Sequence, residues 1–416
     1  LRIKAHKRLN IAGTKDKRAF TTQFVTGYRL TLEQLARINE RSSGLCGAIW
    51  VGNGEYCERP KFLGDLRGNQ FQIVLRDVKL TSNVEQGVTP PPAQRDKLAE
   101  HVKAGMETIS DVGFINYFGL QRFGTGEVAT HIIGRAILRG EWKKAVELIM
   151  HPQKRDKPRV AEAKKMLFQE NKAGQASRMI PHYMIIEKAV ATALATQGSQ
   201  NYSTALASLP RHVRQLYVHA YQSFIWNKVV SARFQELGEW KVLEGDLVLA
   251  DHKEGSEYKN ATVGEPARVK LVTEEDVRNE VYSINDVVFP LVGNGVMFPK
   301  NPHAKAMTDA LKEDGVAIEN TRSSVYDLRG CYRHLLVKAT DTSWEVKDYV
   351  GRDNSTLCQD MSEEGLALIE GALNQKRGSC SGDNDTLKRT AAVLKFSLPK
   401  SSYATMCLRE IFELLQ

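Results

Sequence analysis

The chain reads Val-Arg-Gln-Leu-Tyr-Val-His-Ala-Tyr-Gln-Ser-Phe-Ile-Trp-Asn-Lys-Val at residues 213–229. Apolar side chains recur there mostly every three or four residues, which is the spacing of one face of an α-helix. They are Val213, Leu216, Tyr217, Ala220, Phe224 and Val229. This is the longest of several such patterns between Val128 and Leu237, so we expect a mainly helical block in this part of the chain.

The sequences on either side of the helical block have a different pattern. Before it, Phe71–Leu75 is an apolar run typical of a half-buried strand, and Lys97–Ile109 has helical spacing. After it, Tyr332–Val337 and Ala392–Ser397 are predicted strands, and Tyr403–Leu414 is a predicted closing helix. This order predicts an α/β (α+β) fold in which a mainly helical domain is inserted into another, whose flanking parts form a single sheet.

Composition narrows the class of protein. With 416 residues, 42% of them hydrophobic and 26% charged, the chain has the length of two or three globular domains. We expect no membrane association or secretion, because no apolar run is long enough to cross a bilayer and no signal peptide follows Leu1. The missing initiator Met indicates part of a longer protein. The six cysteines show no Cys-x-x-Cys or zinc-finger spacing, so we expect reduced intracellular thiols and no metal site.

Taken alone, the formal net charge of +9 favours a polyanionic partner, with RNA or DNA first and a membrane surface second. Seven basic residues and one acid lie within the first eighteen residues, and a second basic cluster runs from Lys154 to Arg178. Such clusters are often only solvated faces, but two on one chain suggest a surface that follows phosphates. The candidate RNA contacts in the second cluster are Lys154, Arg155, Lys157 and Arg159.

Three short segments have the residue types of a reactive site. In Ala12-Gly13-Thr14-Lys15-Asp16-Lys17-Arg18, a predicted strand runs into a turn where cations favour an ionised Asp16. An ionised carboxylate at this position can act as a nucleophile or as a general base. The alternative is that Asp16 lies on a surface turn and caps the next helix. The segment is no Walker A loop, because its spacing is absent.

The second segment is Asn116-Tyr117-Phe118-Gly119 with Gln121-Arg122-Phe123-Gly124. Its aromatic rings could stack on an unpaired base, and its amide could form hydrogen bonds with the edge of that base. The alternative, of about equal weight, is that Tyr117 and Phe118 only fill the core of a strand. In the third segment, Leu398 to Glu410, a strand ends at Pro399 and a helix follows the serine pair.

These three segments, in this order, resemble the signatures of the TruD family of pseudouridine synthases, and the resemblance spans nearly the whole chain. It implies Asp16 as the catalytic residue, Phe118 as the ring stacking near the target uracil and Asn116 as its hydrogen-bonding neighbour. Further substrate contacts are Lys15, Lys17, Arg122 and Arg409, and Lys15 and Arg409 are also candidate partners of Asp16.

The family resemblance also implies a mixed-sheet catalytic core at residues 1–139 and 326–416. An inserted TRUD domain would occupy residues 140–325, and a polar insertion would lie near 351–385. The implied reaction is isomerisation of uridine in RNA without a cofactor. We expect tRNA as the first partner, then snRNA and mRNA, for an intracellular monomer in the nucleus, the cytoplasm or both.

Two other classes of function compete with this interpretation. One is a non-catalytic RNA-binding protein that keeps the fold, and the other is a protein-interaction scaffold built on the helical block. Asp16, Asn116 and Phe118 together argue against the RNA-binding protein, because binding alone needs no such set. Detection of pseudouridine after incubation with a tRNA discriminates the enzyme from both alternatives.

Overall fold

The computed structural model describes residues 8–16, 19–41, 51–80, 92–169, 172–198, 200–236, 238, 240–250, 268–317, 328–350 and 388–413. The strands are β1 (Leu9–Ile11), β2 (Val25–Gly27), β3 (Gly68–Arg76), β4 (Phe114–Ile115), β5 (Leu247–Leu249), β6 (Val269–Leu271), β7 (Val287–Leu291), β8 (Cys331–His334), β9 (Leu336–Val337), β10 (Thr340–Val350) and β11 (Lys388–Pro399). The predicted polar insertion at 351–385 lies outside the described residues.

The α-helices alternate with these strands at both ends of the chain and follow one another in its middle. They are α1 (Leu32–Arg41), α2 (Pro92–Asp111), α3 (Thr130–Leu138), α4 (Trp142–Ile149), α5 (Pro158–Gln169), α6 (Ala173–Met179), α7 (Ile185–Gln197), α8 (Tyr202–Ala207), α9 (Arg211–Ser231), α10 (Glu274–Arg278), α11 (Pro302–Glu313) and α12 (Ala404–Arg409). The predicted order of elements, with α/β segments flanking a helical block, is confirmed. Within the described ranges, no helix has the length and apolar character that crossing a bilayer needs.

The chain divides into two compact units. The first comprises Leu1–Val112, Lys338–Ala404 and Leu408–Gln416, and the second comprises Gly113–Val337 and Thr405–Cys407. The domain boundaries at 140 and 325 remain a prediction.

The sheet of the first unit joins its two distant stretches of chain. Its strand order is β10-β11-β3, and both ladders are antiparallel. In the β11–β3 ladder Phe396 pairs with Phe71, and their ring centroids lie 5.6 Å apart. This pairing agrees in part with the predicted single sheet, because β3 and β11 come from opposite sides of the helical block. The predicted strand Tyr332–Val337 is not in this sheet: it divides into β8 and β9, which pair with β7 and β4 in the second unit.

Helix α2 covers part of this first unit with the stripe that the sequence indicated. Leu98, Val102, Met106 and Ile109 are all buried, at 2% exposure or less. A Cβ atom at Gly105 would lie 2.8 Å from Cγ2 of Ile411, so the helix approaches the C-terminal segment closely at this glycine. The absence of a side chain at position 105 therefore permits this packing.

In the second unit, helices α3 to α9 share a continuous core to which each contributes buried apolar side chains. Examples are Ile133, Ala145, Leu167, Ala176, Val190, Leu206 and Val218. A Cβ atom at Gly134 would lie 2.0 Å from the carbonyl oxygen of Tyr217, so α3 and α9 approach each other almost backbone to backbone.

Helix α9 is buried more widely than the predicted single stripe. Tyr217, Ala220 and Val229 are buried as expected, but Leu216 is 45% exposed, and Ile225 and Trp226 are fully buried. The reason is that α9 contacts α3 and also α11 and β7, so it lies inside the unit rather than on its surface.

An antiparallel sheet of order β6-β5-β7-β8 completes the second unit. Beside it, Arg233 and Asp246 form a fully buried ion pair, with Nη1 to Oδ1 at 2.7 Å and Nη2 to Oδ2 at 2.8 Å. Asn301 Nδ2 also donates to this carboxylate, at 2.8 Å. These hydrogen bonds satisfy charges that would otherwise be costly to bury.

Candidate active site

Asp16 follows β1 on an exposed turn of the first unit, as the sequence predicts. Strand β1 pairs with β2, and the amide of Gly64 donates to the carbonyl of Ala12 at 2.7 Å, which ties the start of the turn to a second loop. The alternative, an Asp that caps the next helix, is not what the structure shows, because residues 19–24 are non-helical and α1 begins at Leu32.

The cations beside Asp16 have different surroundings. Lys15 is exposed, and its Nζ donates to Oδ1 of Asn69 at 2.7 Å, at the start of β3. This hydrogen bond links the turn to the three-stranded sheet. Lys17 lies outside the described residues. Arg409, the other candidate partner of Asp16, is an exposed residue of the first unit at the last position of α12.

The closing helix is shorter than predicted. We expected Tyr403–Leu414, but α12 ends at Arg409 and a turn follows at 410–411. The buried apolar residues in this segment, Cys407, Leu408 and Ile411, do not require another helical turn for their burial. The strand end at Pro399, by contrast, is confirmed.

Asn116 begins the second segment, directly after the short β4–β9 pairing in the second unit. The residue is 4% exposed, and its backbone amide donates to the carbonyl of Leu335 at 2.8 Å. Its side-chain Oδ1 accepts from Nη2 of Arg333 at 2.7 Å, and its Nδ2 donates to the carbonyl of His334 at 3.2 Å. The carboxamide orientation is therefore fixed from both ends.

Phe118 lies in the same loop and is 6% exposed. Its ring packs edge-on against Trp226 with centroids 5.8 Å apart, and the Arg333 guanidinium carbon lies 4.0 Å from the Phe118 centroid. Its backbone is held by the side chain of Asn227, which accepts from the Phe118 amide and donates to the Phe118 carbonyl, both at 3.0 Å. The ring is thus firmly placed, and its stacking on a base remains a prediction.

Arg122 is brought to the same ring. It ends the 3₁₀ turn Leu120–Arg122, its Nε donates to Oγ of Ser223 at 3.1 Å, and its guanidinium carbon lies 5.5 Å from the Phe118 centroid. Burial first, and then the charge of Arg122, lower the pKa of His219 on α9. The neighbouring imidazole therefore favours its neutral form and adds no positive charge beside Arg122.

Three residues of this arrangement were not predicted from the sequence: Arg333, Trp226 and Asn227. Arg333 lies at the buried position of β8, and an arginine inside the predicted strand Tyr332–Val337 was the available signal. Trp226 and Asn227 belong to α9. The helix was predicted from its apolar pattern, but that pattern does not show that these two side chains contact Phe118.

The candidate RNA-binding residues Lys154, Arg155, Lys157 and Arg159 are all exposed in the second unit. One member of the wider cluster is different. Lys164 is 1% exposed and pairs with Asp156 at 2.8 Å and with Glu187 at 3.9 Å, so its assignment to the basic surface was wrong. Its position on the buried side of α5 explains the difference, because the sequence shows charge but not direction.

A family model described as tRNA pseudouridine synthase D (TruD) matches residues 1–411. This chain therefore belongs to the TruD family, as its three segments indicated.

Among its relatives, the "Multisubstrate pseudouridine synthase 7" of Schizosaccharomyces pombe is 35% identical over 419 residues, which cover 97% of this chain and 57% of the relative. The human "Pseudouridylate synthase 7 homolog" is 33% identical over 405 residues, 97% of this chain and 54% of the relative. The chain spans about half the length of these curated relatives.

The fold is similar to that of a Methanosarcina mazei protein assigned to tRNA pseudouridine synthase D. The TM-score with its crystal structure is 0.63 at 25% sequence identity, over 98% of this chain and 82% of that chain. The predicted fold class is thereby confirmed.

Proposed function

We propose that this protein isomerises uridine to pseudouridine in RNA. The first substrate is tRNA, at a site of the position 13 type, and snRNA and mRNA are further substrates. The observation that carries the proposal is the exposed Asp16 on the turn after β1, within a segment that the TruD family model covers. A carboxylate on a strand-to-turn junction is accessible to a nucleotide, and a binding protein has no need of it.

In this reaction the bond between N1 of uracil and C1′ of ribose breaks, the base turns over, and a bond forms between C5 and C1′. C5 then loses its proton and N1 gains one, so the product is an isomer of the substrate. Asp16 either attacks C1′ as a nucleophile or removes a sugar proton as a base, and both routes require its ionised form. No oxidation state changes and no group moves to another molecule, so we propose that the reaction needs no cofactor.

The base must be held while it is detached, and we assign this task to Phe118, with Asn116 as its hydrogen-bonding neighbour. Lys15, Lys17, Arg122 and Arg409 are the proposed further contacts to the substrate. Support comes from the rigid placement of Phe118 between Trp226 and Asn227, because a preorganised ring loses little freedom on binding.

Flipping the target nucleotide out of its stack costs on the order of a few kcal/mol. We propose that Lys154, Arg155, Lys157 and Arg159 offset part of this cost through contacts with phosphates. Their exposure supports the assignment. We further propose that the protein is an intracellular monomer, present where its RNA substrates are made or used, in the nucleus, the cytoplasm or both.

The test is incubation of the full-length protein with a tRNA transcript, followed by chemical detection of pseudouridine at single-nucleotide resolution. A transcript with cytidine in place of the target uridine is the control. We expect product only in the uridine transcript. RNA binding without product in any uridine-containing RNA would instead support the non-catalytic alternative.

A further inference from the structure

Arg333 holds both the backbone and the side chain of Asn116. Its guanidinium donates from Nε to the Asn116 carbonyl at 2.8 Å and from Nη2 to the Asn116 Oδ1 at 2.7 Å. Arg333 is itself 6% exposed and fixed in β8, which pairs with β7. Two parallel donors on a planar group define the position and the orientation of the residue that accepts them.

The same guanidinium packs on the aromatic rings of the loop. Its central carbon lies 4.0 Å from the centroid of Phe118 and 5.4 Å from that of Trp226. At these distances a cation is attracted to the face of an aromatic ring. One side chain therefore contacts both Asn116 and Phe118.

Helix α9 supports the loop with a second set of contacts. Ser223 and Asn227 are one helical turn apart, so their side chains project from the same face. Ser223 accepts from Arg122, and Asn227 exchanges two hydrogen bonds with the Phe118 backbone. These contacts fix the backbone, whereas Arg333 contacts the side chains of both Phe118 and Asn116. Trp226 and the carbonyl of His334 each contact only one of these two side chains.

We propose that Arg333 is a positioning residue, which sets Phe118 and Asn116 in the orientation that receives the target uracil. The proposal rests on the proposed function. A lysine cannot replace Arg333, because an ammonium group is a compact charge. It lacks the planar fork by which a guanidinium reaches two acceptors and stacks on a ring. Even the conservative substitution should therefore disturb the site.

The experiment is a double-mutant cycle with Arg333→Lys and Phe118→Ala in the full-length protein. We expect Arg333→Lys to lower kcat by about tenfold to a hundredfold, the size of effect that a misplacement of about 1 Å produces. The KM for RNA should change less than about twofold, since phosphate contacts dominate affinity. In the Phe118→Ala background, the same substitution should lower kcat by less than about threefold, because coupled residues are not additive.

A matched control separates positioning from general loss of stability. Arg233 is another buried arginine of the second unit, with a forked bond to Asp246 and its guanidinium carbon 5.7 Å from the ring of Phe289. Arg233→Lys should lower the melting temperature at least as much as Arg333→Lys, yet leave kcat per folded molecule unchanged. If Arg333→Lys does not fold, Arg333→Gln, which keeps a donor and removes the charge, takes its place in the cycle.

Equal losses from Arg333→Lys in the parent and in the Phe118→Ala background, or unchanged kcat per folded molecule, would overturn the proposal for Arg333 alone. A parent protein that forms no pseudouridine would overturn the proposed function and this proposal with it. The parent activity therefore distinguishes the two failures.

Discussion

The Phe118 ring is expected to have two separable effects: it stabilises the fold through its burial, and it stacks on the target uracil. Phe118→Ala should lower turnover per folded molecule by about tenfold, since loss of a stacking ring costs ~1–3 kcal/mol per base. It should also lower stability, because truncating a buried phenylalanine costs ~3–5 kcal/mol. Phe118→Tyr keeps the ring and should retain more activity than the Ala variant.

The measurement combines a thermal melt with single-turnover kinetics normalised to folded protein. Phe234→Ala is the control, because this ring is buried in the same unit, packs against Trp240 and should affect stability alone. If Phe118→Ala were strongly destabilised while its normalised rate matched the parent, the ring would serve only the core.

Residue types could be predicted from the sequence, and contacts across the chain could not. Asp16 was predicted on a turn after a strand, and this placement is confirmed, because both features follow from neighbours within a few residues. Arg333 and Asn116, in contrast, are far apart in sequence, and no local pattern indicates that they bond. Lys164 shows the same limit, since only the packing of α5 decides that this cation is buried.

At the scale of elements, the close approach of α3 and α9 gives a stability prediction. Gly134→Ala would place a Cβ atom 2.0 Å from the Tyr217 carbonyl oxygen, so the two helices would have to separate. Overpacking of this kind costs about 1–3 kcal/mol or more. We expect a lower melting temperature and a lower denaturant midpoint.

Gly174→Ala is the matched control on helix α6, because a Cβ atom there has nothing within 4 Å. That change should leave stability unchanged or raise it by about 0.5–1 kcal/mol, since alanine favours the helix. A Gly134→Ala variant as stable as the parent would show that α3 and α9 are less closely packed than described.

The strands illustrate how far local patterns reach. Phe71–Leu75 and Ala392–Ser397 were predicted as strands from their apolar runs, and they lie within β3 and β11. Their partnership in one ladder agrees with the predicted single sheet, but the register, with Phe71 opposite Phe396, depends on packing that a local pattern does not contain. The closing helix was predicted too long because an apolar run can also be buried in a turn.

For the whole molecule, the distribution of charge predicts how binding depends on salt. Replacing Lys154, Arg155, Lys157 and Arg159 by glutamine should weaken the binding of target and non-target RNA alike, because phosphate contacts carry no sequence information. The slope of log affinity against log salt should become shallower by up to about one unit for each contact removed.

The control is a second fourfold variant with the same loss of charge at exposed positions elsewhere: Lys97, Lys103, Arg278 and Lys305. Titrations of labelled RNA at several salt concentrations compare the two. Salt slopes that coincide for the cluster variant and the parent would show that the cluster is only a solvated face.

The central claim is that Asp16 performs the chemistry, and Asp16→Asn tests it most directly. The amide keeps the shape of the side chain and loses its charge, so the variant can neither attack C1′ nor accept a proton. Asp96→Asn, at an exposed carboxylate on α2, is the control. Pseudouridine formed per enzyme in single-turnover reactions should fall below detection for Asp16→Asn, with RNA affinity within about twofold of the parent, and should be unchanged for Asp96→Asn. Substantial turnover by Asp16→Asn would contradict the account.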